Sequence, residues 1–328
     1  MRYCVLEASE RRRREMRERI IKLAKETEAD LVGFAPASRF SPDDAIFKLL
    51  PEVKTVIGFG FRVLRGCYRG VEEGSTYYQY TTMGVENMEE TIMPMTLMRV
   101  SALIEEEGFI ALPQRRHQQI MAEENDTNPE VFHNAIYRGV VGECQMNFED
   151  AAVKCGLGER GLHGALLTDE FGPFVRYVFI LTDAELDATP MYEPHLCDGC
   201  GECVKACPGK AIDKNGIIDK WRCAVYYAGA NGTKNPFMPP HAYQEFEDRI
   251  DIIAGEAGIT PEKARKILEV TRFYPGAKHS YIASICGRAC DVACYVHLEE
   301  KGVLTRKFKE KFRDREPWKF DIGDFEEK

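Results

Sequence analysis

The chain has 328 residues, of which 44% are hydrophobic and 30% charged, and its formal net charge is −9. This globular composition excludes a disordered protein. The negative charge argues against a protein whose main task is to bind a phosphate backbone. A local basic patch could still bind RNA, so nucleic acid is an unexpected partner but not an excluded one. The length exceeds one typical core and predicts two subdomains.

The N-terminal region predicts a protein without an export signal or membrane segment. The arginine run at residues 11–14 is followed by Glu15 and Arg17, which indicate a charged helix rather than an apolar export segment. Apolar stretches such as residues 177–181 are far too short to cross a bilayer. We therefore expect a cytoplasmic protein. Twelve cysteines in such a reducing compartment favour metal ligation over disulfides.

The first half of the chain alternates helical and strand patterns. Residues 9–28 predict a helix that begins at Ser9 as its N-cap. One face of this helix is apolar and carries Met16, Ile20, Leu23 and Ala24. Residues 29–36 and 54–61 predict strands that end at glycine or proline signals.

A long helical pattern over residues 85–107 follows, with a run of methionines that we interpret as core packing: Met88, Met93, Met95 and Met98. A short helix is predicted within residues 147–158 and a buried strand over residues 174–183. Mixed helix and strand of this kind predicts an α/β core over residues 1–189.

The character of the sequence changes at Pro190, where cysteine, glycine and proline become frequent. Residues 190–300 are predicted to form a second domain that contains a helical insert at 235–280. One helix of this insert should begin at Thr260, which precedes Pro261. Residues 301–328 are predicted to be a charged, helical tail.

The most specific motif is the cysteine run C-x₂-C-x₂-C-x₃-C-P, formed by Cys197, Cys200, Cys203, Cys207 and Pro208. This spacing is typical of bacterial ferredoxins, in which the fourth cysteine ligates the other of two [4Fe–4S] clusters. A zinc site would normally use two separated C-x₂-C pairs, so the spacing favours iron–sulfur clusters. Four more cysteines are needed to complete the two clusters.

Ferredoxin logic assigns two ligand sets. The first set is Cys197, Cys200, Cys203 and Cys294. The second set is Cys207, Cys223, Cys286 and Cys290. The C-terminal part of this pattern departs from the usual run, because three residues separate Cys286 from Cys290 and no proline follows Cys294. Four further cysteines lack a metal spacing: Cys4, Cys67, Cys144 and Cys155, the last expected to be a small buried apolar residue.

With these residues in view, the chain resembles the superfamily of reductive dehalogenases and epoxyqueuosine reductases. The likeness lies in the segment AAVKCGLGERGLHGALLTDEFGPFVR at residues 151–176 and in the solitary Cys223 after DKWR. The resemblance implies a nitroreductase-like α/β core holding a base-off corrinoid (cobalamin), with an inserted or appended ferredoxin-like two-cluster domain. It also implies a small-molecule substrate and a low-potential electron donor such as ferredoxin or flavodoxin.

The resemblance also suggests residues that handle protons. Reductive cleavage of a carbon–heteroatom bond needs a positioned acid, and Glu143 is nearest to the place where the family has a corrinoid-facing polar residue. Tyr137 and His117 are further candidates, since dehalogenases use a tyrosine supported by a basic residue. Arg176 matches the family's arginine after FGP. Its place in an apolar strand would be costly without a partner.

Three functions are open at this point. The first is a corrinoid-dependent iron–sulfur reductase of the dehalogenase type, which cleaves a carbon–halogen or other carbon–heteroatom bond. The second is an epoxyqueuosine reductase acting on tRNA. Against the second stand the acidic charge, the departure at Glu143, and Gly161-Leu162-His163 where that group has GKN. The third is a ferredoxin-like electron carrier without catalysis. The sequence leaves the leaving group, the electron donor and the oligomeric state undetermined.

Overall fold

The structure, a computed structural model, describes residues 2–77, 79–115, 146–271 and 284–313, with side chains from residue 10 onward. It is a mixed α/β protein. The strands are β1 (Leu31–Pro36), β2 (Thr55–Arg62), β3 (Ala111–Gln114), β4 (Glu159–Arg160), β5 (Leu166–Leu167) and β6 (Val175–Thr182). Four of them form an antiparallel sheet of order β1-β2-β6-β3, and β4 pairs with β5.

Ten α-helices are seen in the described residues. They are α1 (Arg2–Glu26), α2 (Ala45–Leu49), α3 (Arg65–Glu73), α4 (Met93–Glu106), α5 (Phe148–Lys154), α6 (Glu202–Ala206), α7 (Lys220–Tyr227), α8 (Arg249–Ala254), α9 (Pro261–Val270) and α10 (Ala289–Lys301). Within the same described ranges, no helix has the length and apolar character that crossing a membrane requires.

Helix α1 packs its predicted apolar face on the core. Met16, Ile20 and Ala24 are buried, which confirms the predicted face. The predicted start at Ser9 is wrong, because the helix begins at Arg2. The preceding residues contain neither glycine nor proline, so nothing in them stops the helix before it reaches Ser9.

The central strands β2 and β6 are almost entirely buried, since helices and loops cover both faces of the sheet. The absence of a side chain at Gly33 of β1 permits a close approach to the end of α5. A Cβ atom there would lie 2.1 Å from the carbonyl oxygen of Cys155. The segment that follows α5 is therefore fixed directly against the sheet.

The predicted helix over residues 85–107 begins earlier and is not uniformly α-helical. Two π-helical stretches, Tyr80–Glu86 and Met88–Ile92, precede α4. Met88 and Met93 are buried, whereas Met95 and Met98 are 53% and 65% exposed. The core-packing interpretation is therefore right for the first two methionines and wrong for the last two, which lie on the outer face of α4.

One of three apolar clusters in the described residues joins the two predicted domains. Tyr295 of α10 stacks on Phe174 with ring centroids 4.3 Å apart, and Phe174 stacks on Tyr68 of α3 at 3.9 Å. The division at residue 190 stays a prediction. Helix α9 begins after the N-cap Thr260, as predicted. The tail is not helical over residues 302–313, where Phe312 is instead buried in the shared core.

Candidate metal centres and the adjoining buried pocket

The four thiols of the first predicted set lie around one hollow. Cys197, Cys200 and Cys203 reach it from the loop after β6 and from α6, and Cys294 reaches it from α10. Burial, followed by the charge of Asp291, raises the pKa of the Cys294 thiol. The other three thiols of the set raise this pKa further, which places all four within range of one another's charges.

Backbone amide groups hold this first set in place. The buried carboxylate of Glu159 accepts hydrogen bonds from the backbone N–H groups of His195, Leu196 and Cys197, at 2.5, 3.0 and 2.6 Å. The backbone N–H of Leu162 donates to Sγ of Cys197 at 3.3 Å. Hydrogen bonds to the sulfurs are among the features that tune iron–sulfur sites, so this donor set fits a [4Fe–4S] cluster.

The second predicted set is also brought together. Burial raises the pKa of the Cys223 thiol to about 12, and the charges of Cys286 and Cys207 contribute to the rise. Burial is likewise the main cause of the raised pKa of Cys290, to which Cys286 and Cys223 add. The backbone N–H of Ala211 donates to Sγ of Cys207 at 3.3 Å. This arrangement repeats the one at the first set.

The unusual spacing between Cys286 and Cys290 is accommodated by a left-handed turn. Gly287 and Arg288 both have positive φ, of 59° and 54°. A Cβ atom on Gly287 would lie 2.5 Å from Cγ1 of Val71, so a larger residue does not fit there. Helix α10 starts directly after this turn and presents Cys290 to one set and Cys294, about one turn later, to the other.

A polar triad of buried Asp291, buried His163 and partly exposed Arg288 lies beside both sets. Arg288 donates from Nε and Nη2 to the carboxylate of Asp291 at 2.8 and 3.1 Å. Nε2 of His163 lies 3.2 Å from Oδ1 of the same carboxylate. Burial opposes ionisation of Asp291, but Arg288 and then His163 outweigh it and hold its pKa well below the usual range.

Arg176 lies in β6 with two partners. It forms an ion pair with Glu89, which lies on the second π-helical stretch, and Nη2 donates to the hydroxyl of Tyr80 at 3.3 Å. Tyr80 is only 2% exposed. The sequence indicated that Arg176 needed a partner but did not identify one, because both partners lie about 90 residues earlier in the chain.

The cluster of Arg176, Glu89 and Tyr80 lies near the second cysteine set. Burial raises the pKa of Tyr227, and its further causes include the charges of Tyr80 and Cys286. The ring of Tyr227 is therefore near both the Arg176 partner and a second-set thiol.

The structure describes only some of the other residues that the sequence singled out. Glu143, Tyr137 and His117 lie outside the described residues. Cys155 is fully buried, and its thiol donates to the carbonyl oxygen of Val56 at 3.4 Å. It is therefore a small buried residue, as expected. Cys67 is also buried, away from both sets.

Comparison with known proteins first defines a class. A family model described as a 4Fe-4S binding domain matches residues 190–213, which contain the ferredoxin-like cysteine run. The match indicates an iron–sulfur segment at residues 190–213, in a chain whose described residues have a mixed α/β fold.

Relatives then specify the group. The chain is 30% identical over 80 residues to an epoxyqueuosine reductase of Prochlorococcus marinus, covering 24% of this chain and 25% of that protein. It is 41% identical over 101 residues to a tetrachloroethene reductive dehalogenase of Desulfitobacterium hafniense, covering 24% and 18%. The chain thus matches a quarter or less of the length of these relatives. Over this part it is related to the superfamily of epoxyqueuosine reductases and reductive dehalogenases, which confirms the resemblance.

A similar solved structure is an epoxyqueuosine reductase with an epoxyqueuosine-modified tRNA-Tyr stem loop. It is 15% identical, covers 88% of this chain and 83% of its own, and has a TM-score of 0.46. A similarity of this size assigns neither a substrate nor a nitroreductase-like core to the present chain, so that core stays a prediction.

Proposed function

We propose that this chain is an iron–sulfur reductase that passes electrons through two [4Fe–4S] clusters to a buried corrinoid. The observation that carries the proposal is the pair of thiol quartets described above, each with a backbone N–H aimed at a sulfur. The first cluster takes Cys197, Cys200, Cys203 and Cys294. The second takes Cys207, Cys223, Cys286 and Cys290.

The exposure of the cysteines in the two sets indicates the direction of electron flow. Cys197 and Cys200 are exposed, whereas the four thiols of the second set are only partly exposed, and one of them, Cys286, lies near Tyr227. An external low-potential donor such as ferredoxin or flavodoxin would therefore reduce the first cluster. The second cluster, whose four thiols are less exposed than Cys197 and Cys200, would then receive the electron.

The corrinoid itself rests on the family resemblance. When bound, it would supply the low-potential cobalt chemistry that cleaves a carbon–heteroatom bond. The chain's own contribution is the buried Tyr80, whose hydroxyl is oriented by Arg176 and can donate a proton. Glu89 balances the charge of Arg176, so this cluster of side chains carries little net charge.

The names of the relatives favour an epoxyqueuosine-type substrate over an organohalide. Epoxyqueuosine reductases of Gloeobacter violaceus and Vibrio cholerae also match, each at 34% identity over about 90 residues. These names favour the epoxyqueuosine reductase hypothesis over the dehalogenase hypothesis. An exposed segment supports this substrate class, because residues 306–313 contain five basic side chains and one acidic side chain. A cluster of this kind is typical of phosphate-backbone contact.

A direct comparison of substrates tests this function. The anaerobic holoprotein with bound cobamide and a chemical reductant is given an epoxyqueuosine-containing tRNA stem loop and, separately, tetrachloroethene. Queuosine formation without chloride release supports the proposal. Chloride release alone returns the function to a dehalogenase, the first of the three hypotheses. Absence of cobamide binding at micromolar concentrations, with both clusters present, supports the electron carrier instead.

A further inference from the structure

The π-helical winding before α4 brings two side chains to one arginine. Tyr80 begins the first π-helical stretch, and Glu89 lies in the second, nine positions later. An α-helix has 3.6 residues per turn, so residues nine apart would lie on opposite sides of it. The i→i+5 hydrogen bonds of a π-helix add about one residue to each turn, and nine residues then make about two turns. Both side chains therefore reach Arg176.

The residue after Tyr80 contacts the loop of the second cysteine set. The backbone N–H of Ser284 donates to Oγ1 of Thr81 at 3.1 Å, although 203 residues separate them. Ser284 precedes the predicted ligand Cys286 by two residues. Thr81 is 1% exposed and Ser284 is fully buried, so water does not replace this bond when it is lost.

We propose that Thr81 is a positioning residue that fixes the proton-donating Tyr80 relative to the second cysteine set, an inference that rests on the two-cluster function proposed above. Tyr80 and Thr81 are neighbours on one π-helical turn, so a bond to one limits the movement of the other. An electron from the second cluster and a proton from Tyr80 must reach the same substrate. Turnover therefore depends on a fixed arrangement of the two sources, and the bond to Ser284 maintains it.

The bond itself is tested by Thr81→Val, which keeps the branched shape and removes the hydroxyl, and by Thr81→Ser, which retains the hydroxyl. Hydrogen–deuterium exchange of the Ser284 amide is followed in the anaerobic holoprotein. Exchange should be about tenfold faster in Thr81→Val, because a buried donor has lost its acceptor, and normal in Thr81→Ser. Both variants should keep full iron, since the N–H of Ile285 still donates to the carbonyl oxygen of Tyr227 at 3.0 Å.

The action through Tyr80 is tested by a double-mutant cycle, with whichever of the two substrates named above the wild type converts. Thr81→Val should lower kcat by about tenfold or more and leave KM nearly unchanged, because the acid is misplaced while substrate contacts remain. Thr81→Ser should restore kcat. In a Tyr80→Phe background, Thr81→Val should change kcat by less than about twofold, because the group that it positions is already absent.

The matched control is Thr96→Val. Thr96 is also fully buried, and its hydroxyl donates to the carbonyl oxygen of Thr27 at 2.6 Å. This variant should lower the melting temperature and change neither kcat nor exchange at Ser284. Equal losses of kcat in Thr81→Val and Thr96→Val would overturn the inference, as would additive losses in the cycle with Tyr80→Phe.

Two results separate a structural role from the proposed one. A Thr81→Val protein that fails to fold or loses iron, while Thr96→Val keeps it, overturns the inference, because Thr81 then only holds the loop. Wild-type protein with four irons or fewer, or without turnover of either substrate, contradicts the function on which the inference rests. Active wild type with eight irons and an unchanged kcat in Thr81→Val contradicts the role of Thr81 alone.

Discussion

The carboxylate of Glu159 accepts the backbone N–H of Cys197 at 2.6 Å, although 38 residues separate them. The same carboxylate binds the two preceding amides, of His195 and Leu196. The segment that carries the family resemblance is therefore the anchor of the loop that brings the first cysteine to its set. This segment therefore has a structural role, because it positions the loop that carries Cys197.

Replacing this anchor should weaken the first cluster selectively. In Glu159→Gln an amide N–H₂ faces backbone donors, so hydrogen bonds to a charged acceptor, worth about 1.5–3 kcal/mol each, are lost. We expect roughly half of the iron to be lost, together with a lower melting temperature. Glu170→Gln, at an exposed position in the same segment, is the control and should keep full iron. Equal losses in the two variants would show that Glu159 is not a specific anchor.

The lone cysteine of the second set offers a sharper test of ligation. Cys223→Ala should remove or alter the second cluster. The EPR signal of the first cluster should stay intact, because Cys223 is not one of its ligands. Cys155→Ala is the control, since Cys155 is a fully buried free thiol that lies against the sheet and belongs to neither set. If both clusters survive unchanged in Cys223→Ala, the assignment of this ligand is wrong.

Arg176 should support turnover rather than cluster binding. Arg176→Met removes the group that orients Tyr80 and should lower turnover by about 10²-fold, the scale for one preorganised electrostatic contact. This variant also leaves Glu89 without its arginine. The double variant Arg176→Met/Glu89→Gln removes that charge imbalance and should recover stability without recovering turnover. Recovery of turnover in the double variant would mean that the ion pair is only structural.

The basic segment should matter for a tRNA substrate alone. Lys307→Glu/Lys309→Glu should weaken binding of a tRNA stem loop. The slope of the binding constant against salt concentration should fall by the equivalent of about one to two phosphate contacts. Lys22→Glu/Lys25→Glu on α1 changes the net charge equally at another exposed site. Fluorescence anisotropy over a salt series compares the two. Equal weakening would indicate a general charge effect and remove this support for tRNA.

Local chemistry in the sequence predicted much of the fold. The apolar face of α1, the strands around Gly33 and Gly58, and the Thr260 N-cap of α9 all follow from short-range patterns. The two cysteine sets were predicted from spacing, and the structure brings the members of each set together. That these thiols ligate clusters stays a prediction, which the iron analysis below tests.

Features that depend on distant contacts could not be predicted. Nothing near Arg176 in the sequence indicates Glu89 or Tyr80 as partners, because the sheet and the π-helical stretches bring them together. The same holds for His163 and Asp291, which are 128 residues apart and meet only where α10 packs beside the first set. Methionine exposure on α4 likewise depends on which helix face the sheet covers.

Iron and acid-labile sulfide analysis of anaerobically reconstituted protein tests the central claim most directly. Two cubane clusters held by eight thiolates predict about eight iron and eight sulfide per chain. Four or fewer of each in fully reconstituted protein would contradict the two-cluster reductase, whatever substrate it is given.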